Sequence, residues 1–165
     1  MSQPTPLIAG KEVEVARLEE YLDRATDEVF NTMMGVRCAP TPIGPGANRE
    51  SISAVIGLAG ALSGSLVLQT SSEAARRMAE KMMGMAPEEV DEMVRDAVGE
   101  VCNMVAGAWK GFESSLASGC LLSTPTVVAG SSYELFNQKA PIRIERGYIF
   151  ETLPFTVTIS CEPQG

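Results

Sequence analysis

Residues 87–116 show a helical pattern that constrains the fold of this chain more than any other segment does. Apolar residues recur there at intervals of three and four, which is the spacing of one side of an amphipathic helix. These residues are Val94, Ala97, Val98, Val101, Val105, Ala108, Phe112 and Leu116. Pro87 suits the first turn of such a helix, where no backbone N–H is needed. The pattern therefore predicts a long helix that buries one side against the rest of the domain.

The opposite side of this predicted helix carries polar and small residues. On a helical wheel they form one stripe: Asp96, Glu100, Asn103, Gly107 and Lys110. A carboxylate in such a stripe can accept a charge-assisted hydrogen bond from a lysine, and an amide can hold and orient a water molecule. A water held in line with a phosphorus atom accelerates phosphoryl hydrolysis without covalent catalysis. Without further information, the same residues also fit a solvated helix face.

The composition excludes several classes of protein. A chain of 165 residues has the size of one domain, and we predict a single domain over 1–165. The formal charge of −8 argues against a surface that binds nucleic acid or anionic membranes, and no apolar run is long enough to cross a bilayer. The complete lack of histidine excludes Ser-His and Cys-His catalysis and every histidine-ligated metal site.

The cysteines and the N-terminus indicate a cytoplasmic protein. The four cysteines are widely spaced with no CxxC pair, which is typical of free thiols in a reducing compartment and argues against a zinc site. The first residues lack the charged start and apolar core of a secretory signal. Two prolines and little periodicity predict a loose arm over residues 1–10.

The remaining segments predict further helices and strands. Along the chain we expect a helix over 12–34, a loop over 40–46, strands over 51–58 and 65–70, a helix over 73–83, a short strand between Gly119 and Pro125, strands over 142–145 and 148–151, and a last strand over 155–161. The glycines over 60–64 suit a hairpin turn, since no Lys-Ser/Thr follows them as in a phosphate-binding loop. We place the turn between the strands over 142–145 and 148–151 at Arg146-Gly147. Residues 127–136 fit a loop, a strand or a short helix.

Helices that come early and in the middle, with strands grouped late, predict an α+β domain. In this architecture an antiparallel sheet carries the helices on one face. The last strands are long and apolar, and we expect them at an exposed edge of the sheet. Such an edge favours pairing with a second copy of the chain, so we expect a homodimer.

The motif Asp96-x3-Glu100-x2-Asn103, followed by Pro125, resembles the signature of the CheC/CheX/FliY phosphatases of bacterial chemotaxis. The proline lies one residue closer to the asparagine than in the usual signature, and the order of predicted elements is similar over residues 12–161. The resemblance implies a phosphatase that acts on the phosphorylated CheY-like receiver domain of a response regulator. In that family the glutamate binds a lysine of the receiver, and the asparagine orients the water that attacks the aspartyl phosphate.

Carried over to this chain, the resemblance makes Glu100 and Asn103 the catalytic pair. Asp96, Gly107 and Lys110 would then contact the receiver. The receiver would also hold the required Mg²⁺, so the resemblance implies no metal and no cofactor in this chain. The alternative function is that of a catalytically silent module, which docks on a receiver or on a component of the flagellar switch.

A second ExxN sequence, Glu28-x2-Asn31, lies in the first predicted helix. The position four residues before Glu28 is Arg24, where the signature has Asp or Ser, and no proline lies near residue 53 or 54. We therefore interpret this match as accidental. A single motif is typical of the CheX branch, whose members resemble one another in forming homodimers through their sheets.

Overall fold

The fold is seen in a computed structural model, which describes residues 4–44, 51–130 and 140–164. Its elements in chain order are β1 (Leu7–Ile8), β2 (Lys11–Glu12), α1 (Val15–Met34), β3 (Cys38–Thr41), β4 (Ser51–Gly60), β5 (Leu62–Ser71), α2 (Ser72–Met83), α3 (Glu92–Gly111), α4 (Ser114–Ala117), β6 (Cys120–Leu122), β7 (Thr126–Gly130), β8 (Ile142–Phe150) and β9 (Leu153–Pro163). This mixture of helices and antiparallel strands confirms the predicted α+β class.

The main sheet is antiparallel throughout and has seven strands within the described residues. Its order is β3-β8-β9-β5-β4-β6, and β7 also pairs with β4. β4 and β5 form the predicted hairpin, in which Ser51 lies opposite Ser71 and Leu58 opposite Gly64. β5 lies inside the sheet, because β9 pairs with its other side.

α3 lies on this sheet and is held there from two sides. Alternate residues of β4, among them Ala54 and Ile56, are fully buried beneath the helices. The Cys102 thiol of α3 lies 3.5 Å from the Ala54 carbonyl oxygen. Trp109 is fully buried, and its indole N–H donates to the Leu18 carbonyl of α1 at 3.0 Å. These contacts fix the rotation of α3 and so determine which of its residues face outward.

α3 is shorter than the helix predicted over 87–116. It begins after Asp91, whose carboxylate accepts a hydrogen bond from the Val94 N–H at 3.0 Å. This N-cap satisfies a backbone donor of the first turn, and Pro87 lies outside the helix. The helix ends at Gly111, and α4 is a separate turn with Glu113 as its N-cap. The prediction is wrong at both ends because capping side chains limit the helix more tightly than its apolar period does.

Two segments that were predicted to be irregular contain strands. Within the expected loose arm, Leu7–Ile8 pairs with Lys11–Glu12, and the Ile8 side chain is fully buried. Burial of this isoleucine therefore holds the second half of the arm against the core. The first two residues of the loop expected over 40–46 belong to β3 (Cys38–Thr41), which pairs with β8. β3 is an edge strand of the described sheet, where proline is tolerated; residues 45–46 lie outside the described residues.

The predicted turn at Arg146-Gly147 is wrong. β8 runs through this point without a break, and the reversal into β9 comes after Phe150. A Cβ added at Gly147 would lie 2.6 Å from the Thr41 carbonyl oxygen, so this glycine permits the close approach of β3. β8 and β9 also lie inside the sheet, and the expected exposed edge is therefore wrong as well. Among the described strands, the edges belong to β3 and to β6 and β7.

The other predicted elements agree with the structure apart from their limits. α1 starts three residues later than expected and ends at Gly35, which adopts the left-handed conformation with φ 68°. α2 has Ser71 as its N-cap, and β6 confirms the short strand before Pro125. The undecided segment 127–136 contains most of β7, and residues 131–136 lie outside the described residues. None of the described helices combines the length and apolarity that a bilayer-spanning helix requires.

Candidate functional site

The polar stripe of α3 faces away from the sheet. Asp96 and Glu100 are exposed, while Asn103 and Gly107 are half-buried. The buried side of the helix contacts the core instead, and it consists of Val94, Ala97, Val98, Gly99, Val101, Cys102, Val105, Ala106 and Trp109. Because a helix rises about 1.5 Å per residue, Glu100 and Asn103 project from neighbouring points of one rigid element.

The polar groups of Glu100 and Asn103 are available for contacts outside the described part of the chain. Among the described residues, neither side chain forms a hydrogen bond or an ion pair. The Glu100 carboxylate can therefore accept hydrogen bonds from a cation outside the domain. The Asn103 amide keeps both its acceptor oxygen and its two donor hydrogens available. Together the two side chains can bind a cationic group and orient a nearby water molecule.

Covalent catalysis has no support at this face. Cys102 precedes Asn103 in the sequence but is buried, and burial raises the pKa of its thiol to about 12. Since the thiolate is the reactive form of cysteine, Cys102 is unreactive at neutral pH. In the part of the chain that the structure describes, no three His, Cys, Asp or Glu side chains are grouped so that they could hold a metal ion.

Pro125 lies against α3 directly beside this face. A Cβ added at the buried Gly99 would lie 3.5 Å from Cγ of Pro125 and 3.3 Å from Cγ2 of Val127. Gly99 immediately precedes Glu100, so the segment that leads into β7 packs against the same turn of α3 that carries Glu100. The proline of the sequence motif is thus a spatial neighbour of the helix that carries the glutamate. The same contact disfavours a large side chain at position 99, where glycine costs about 1 kcal/mol relative to alanine in a helix.

We expect Gly99→Val to lower the free energy of unfolding by about 1–3 kcal/mol. The added side chain would overlap Pro125 and Val127, and overpacking of this size carries such a cost. The matched control is Gly107→Val on the same helix, because a Cβ at Gly107 meets nothing within 4 Å. Urea unfolding of both variants measures the difference. Equal stabilities for the two variants would show that the contact at Gly99 is not tight.

Gly107 and Lys110 continue the stripe toward the end of α3 in different ways. The open space beyond Gly107 means that no neighbour within the described residues requires a glycine there. The Lys110 ammonium donates to the carbonyl oxygens of Ala117 at 2.9 Å and Cys120 at 2.8 Å. Lys110 thus connects the end of α3 to the α4–β6 segment, and its charge is directed toward these carbonyls.

The second ExxN sequence differs from the α3 site in its local contacts. Glu28 on α1 accepts a hydrogen bond from Nε of Arg24 at 3.1 Å. The Arg24 guanidinium also lies 4.3 Å from the centre of the Phe112 ring. Arg24 occupies the position where the motif has Asp or Ser, and its guanidinium forms an exposed ion pair with the carboxylate that would bind a partner's lysine. Asn31 is exposed nearby, but Glu28 already has a cationic partner within the domain.

Sequence reasoning missed one residue of the α3 face. Met93 lies seven residues before Glu100, at the start of the same stripe, and 52% of its surface is exposed. Seven residues are close to two full turns of helix, so the spacing alone would have identified it.

Comparison with known proteins identifies the family of this chain. The profile of the family described as "Chemotaxis phosphatase CheX" matches residues 52–145. The CheY-P phosphatase CheX of Thermotoga maritima is 36% identical over 87 residues, a region that covers 52% of this chain and 56% of that protein. The structure is similar to the chemotaxis protein CheX of Vibrio vulnificus, with a TM-score of 0.77 and 25% identity over 92% of this chain and all of the other.

A third similarity concerns the fold alone. The CheX–CheY–BeF3–Mg²⁺ complex of Borrelia burgdorferi contains a chain that matches with a TM-score of 0.69 at 19% identity, over 87% of this chain and 96% of that one. The region matched by the family profile covers more than half of the chain, and Glu100, Asn103 and Pro125 lie within that region. This chain therefore belongs to the CheX family of chemotaxis phosphatases.

Proposed function

We propose that this protein accelerates the hydrolysis of the aspartyl phosphate on a CheY-like receiver domain. The observation that carries the proposal is the outward-facing pair on α3. Glu100 is exposed and Asn103 is half-buried, and neither has a polar partner within the described residues. The family assignment supports it, as do the name of the Thermotoga relative, a CheY-P phosphatase, and the Borrelia complex with CheY. The matched region spans little more than half of the Thermotoga protein.

In this mechanism the two side chains have separate roles. The Glu100 carboxylate accepts a hydrogen bond from the ammonium group of a receiver lysine and so fixes the receiver on α3. The Asn103 amide oxygen accepts a hydrogen bond from a water molecule and holds it in line with the phosphorus atom. Because the attacking water is already held in position, its reaction with phosphorus becomes effectively unimolecular, and this lowers the activation free energy of hydrolysis. Asn103 therefore acts by orientation and forms no covalent bond.

The bonds change only on the receiver. A new bond forms between the water oxygen and phosphorus, and the bond between phosphorus and the aspartyl oxygen breaks. The aspartyl carboxylate leaves with the electron pair of that bond, and the water proton passes to the phosphate product or to solvent. The Mg²⁺ that stabilises the charge on the phosphoryl group is held by the receiver, so this chain supplies neither a metal nor a cofactor.

Three further residues of the α3 stripe complete the proposed contact surface. Asp96 lies one turn before Glu100 and is exposed, where it can accept a hydrogen bond from the receiver. The free space above Gly107 lets receiver backbone approach the helix closely beside Asn103. Lys110 contributes a positive charge near an acidic receiver surface, although its ammonium also binds two internal carbonyl oxygens.

The test is to mix the protein with a phosphorylated receiver and Mg²⁺ and to follow the release of inorganic phosphate. We expect release to be faster than from the receiver alone, and to rise with protein concentration until it saturates. Binding of the receiver with no faster release would contradict the proposal and would favour a silent docking module.

The proposal also includes a cytoplasmic homodimer. Strand alternation directs the half-buried Val55 of β4 and the exposed Val128 of β7 to the face of the sheet away from the helices, and apolar side chains exposed there favour association with a second copy. The free thiols of the four buried cysteines support a reducing compartment. We expect light scattering after size-exclusion chromatography to give twice the chain mass of 17.6 kDa. A mass of one chain at micromolar concentration would contradict the dimer.

A further inference from the structure

Met93 is an exposed apolar residue that does not belong to the hydrophobic core of the described residues. Among the described residues, the exposed large apolar side chains are Leu7, Ile43, Met85, Met93, Leu121 and Val128. Met93 alone of these lies on α3, and 52% of its surface is exposed. Its neighbour Val94 is fully buried and supplies the core contact of this turn. The packing of α3 therefore does not require an apolar residue at position 93.

Met93 shares the outward side of α3 with the proposed catalytic pair. It lies seven residues before Glu100, and seven residues turn a helix by about 700°, which leaves the two side chains within about 20° of one another. The same spacing separates them by about 10 Å along the helix axis. The exposed Asp96 lies between them. A partner that reaches Glu100 and extends toward the start of α3 must cover Met93.

We propose that Met93 is an apolar contact for the receiver domain and sets the direction in which the receiver lies along α3. This inference rests on the proposed function, because the receiver is the partner that Glu100 binds. A single ion pair leaves a partner free to pivot, whereas a second contact two turns away removes that freedom. The restriction matters because Asn103 must place a water molecule to within about 1 Å of its working position.

The chemistry of methionine fits a contact with a receiver surface. Its side chain is unbranched and polarisable, so it adapts to a shallow apolar depression on a partner. Removing an exposed apolar side chain from water favours association, and the surrounding acidic residues keep the free protein soluble. The contact adds binding energy and also restricts the orientation of the bound receiver. Its loss should therefore weaken binding, and it should also slow the release of phosphate from the bound complex.

The test compares Met93→Gln with Met93→Leu. Glutamine keeps the length of the side chain and removes its apolar character, while leucine keeps the apolar character. The probe is a CheY-like receiver loaded with beryllofluoride and Mg²⁺, and its Kd is measured by calorimetry. From the exposed share of the side chain, we expect Met93→Gln to raise the Kd about five- to tenfold. Met93→Leu should stay within about twofold of the unmodified protein.

Two controls separate this inference from the proposed function. Met85→Gln makes the same change at a methionine that is 68% exposed and lies outside α3, and we expect it to leave the Kd unchanged. The Tm of each variant should match that of the unmodified protein. A Kd that responds to Glu100→Lys but not to Met93→Gln would overturn the role of Met93 alone. If the unmodified protein does not bind the receiver at all, both proposals fail.

Discussion

We expect Asn103→Ala to slow the catalysed release of phosphate from the receiver about a hundredfold, since a misplaced reacting group costs a factor of this order. The Kd for the receiver should change by less than about twofold, because the asparagine acts mainly on the water in the transition state. Alanine favours helix more than asparagine does, so a loss of rate cannot be attributed to unfolding of α3. Single-turnover decay of the phosphorylated receiver, at saturating protein, measures the effect.

The chain provides its own control for this substitution. Asn31→Ala changes the equivalent residue of the second ExxN sequence, where Glu28 is already paired with Arg24. We expect Asn31→Ala to keep the rate of the unmodified protein. If Asn31→Ala and Asn103→Ala slowed the reaction equally, both ExxN sequences would be sites and the single-site mechanism would be wrong. An unchanged rate in Asn103→Ala would exclude water orientation by this amide.

Glu100→Lys should abolish docking of the receiver, with a rise in Kd of at least about a hundredfold. The substitution replaces an attractive contact with a receiver lysine by two like charges, and such a juxtaposition costs several kcal/mol. Glu100→Gln keeps the shape of the side chain and loses its charge. Its Kd for the receiver should lie between those of the unmodified protein and Glu100→Lys. The exposed position of Glu100 means that neither change should disturb folding. Calorimetric titration with the beryllofluoride-loaded receiver measures all three affinities.

Glu28→Lys is the matched control for the charge reversal. It alters the net charge by the same amount on another exposed helix face, and it removes a surface ion pair that is worth at most about 1 kcal/mol. We expect the Kd of Glu28→Lys to remain within about twofold. A similar loss of affinity in both variants would show that overall charge, and not a specific contact at Glu100, governs binding.

The α3 face could be predicted from sequence because a helix converts spacing into direction. The apolar period placed Val98 and Val105 in the core and therefore placed Glu100 and Asn103 outside, and the structure has the same arrangement. The orientation needed no knowledge of the partner elements. The ends of the helix were harder to predict. They are set by the capping residues Asp91 and Glu113, which are less conspicuous in the sequence than the repeat of apolar residues.

The errors in the fold prediction arise from contacts between distant segments. Gly147 resembles a turn residue in the sequence. In the structure its missing side chain lets the backbone of Thr41, more than a hundred positions earlier in the chain, pack closely against β8. Ile8 lies in a segment with little pattern, yet the core covers it completely. For the same reason the sequence motif shows only that Pro125 follows Asn103. Its contact beside Gly99 depends on the packing of β7 against α3.

The most direct test of the proposed mechanism is a structure of this protein bound to its receiver, loaded with beryllofluoride and Mg²⁺. We expect Glu100 to accept a hydrogen bond from a receiver lysine, and the Asn103 amide to hold a water molecule in line with the beryllium atom, which stands in for phosphorus. A complex in which Asn103 lies outside the interface, or in which its amide points away from the beryllofluoride, would contradict the mechanism.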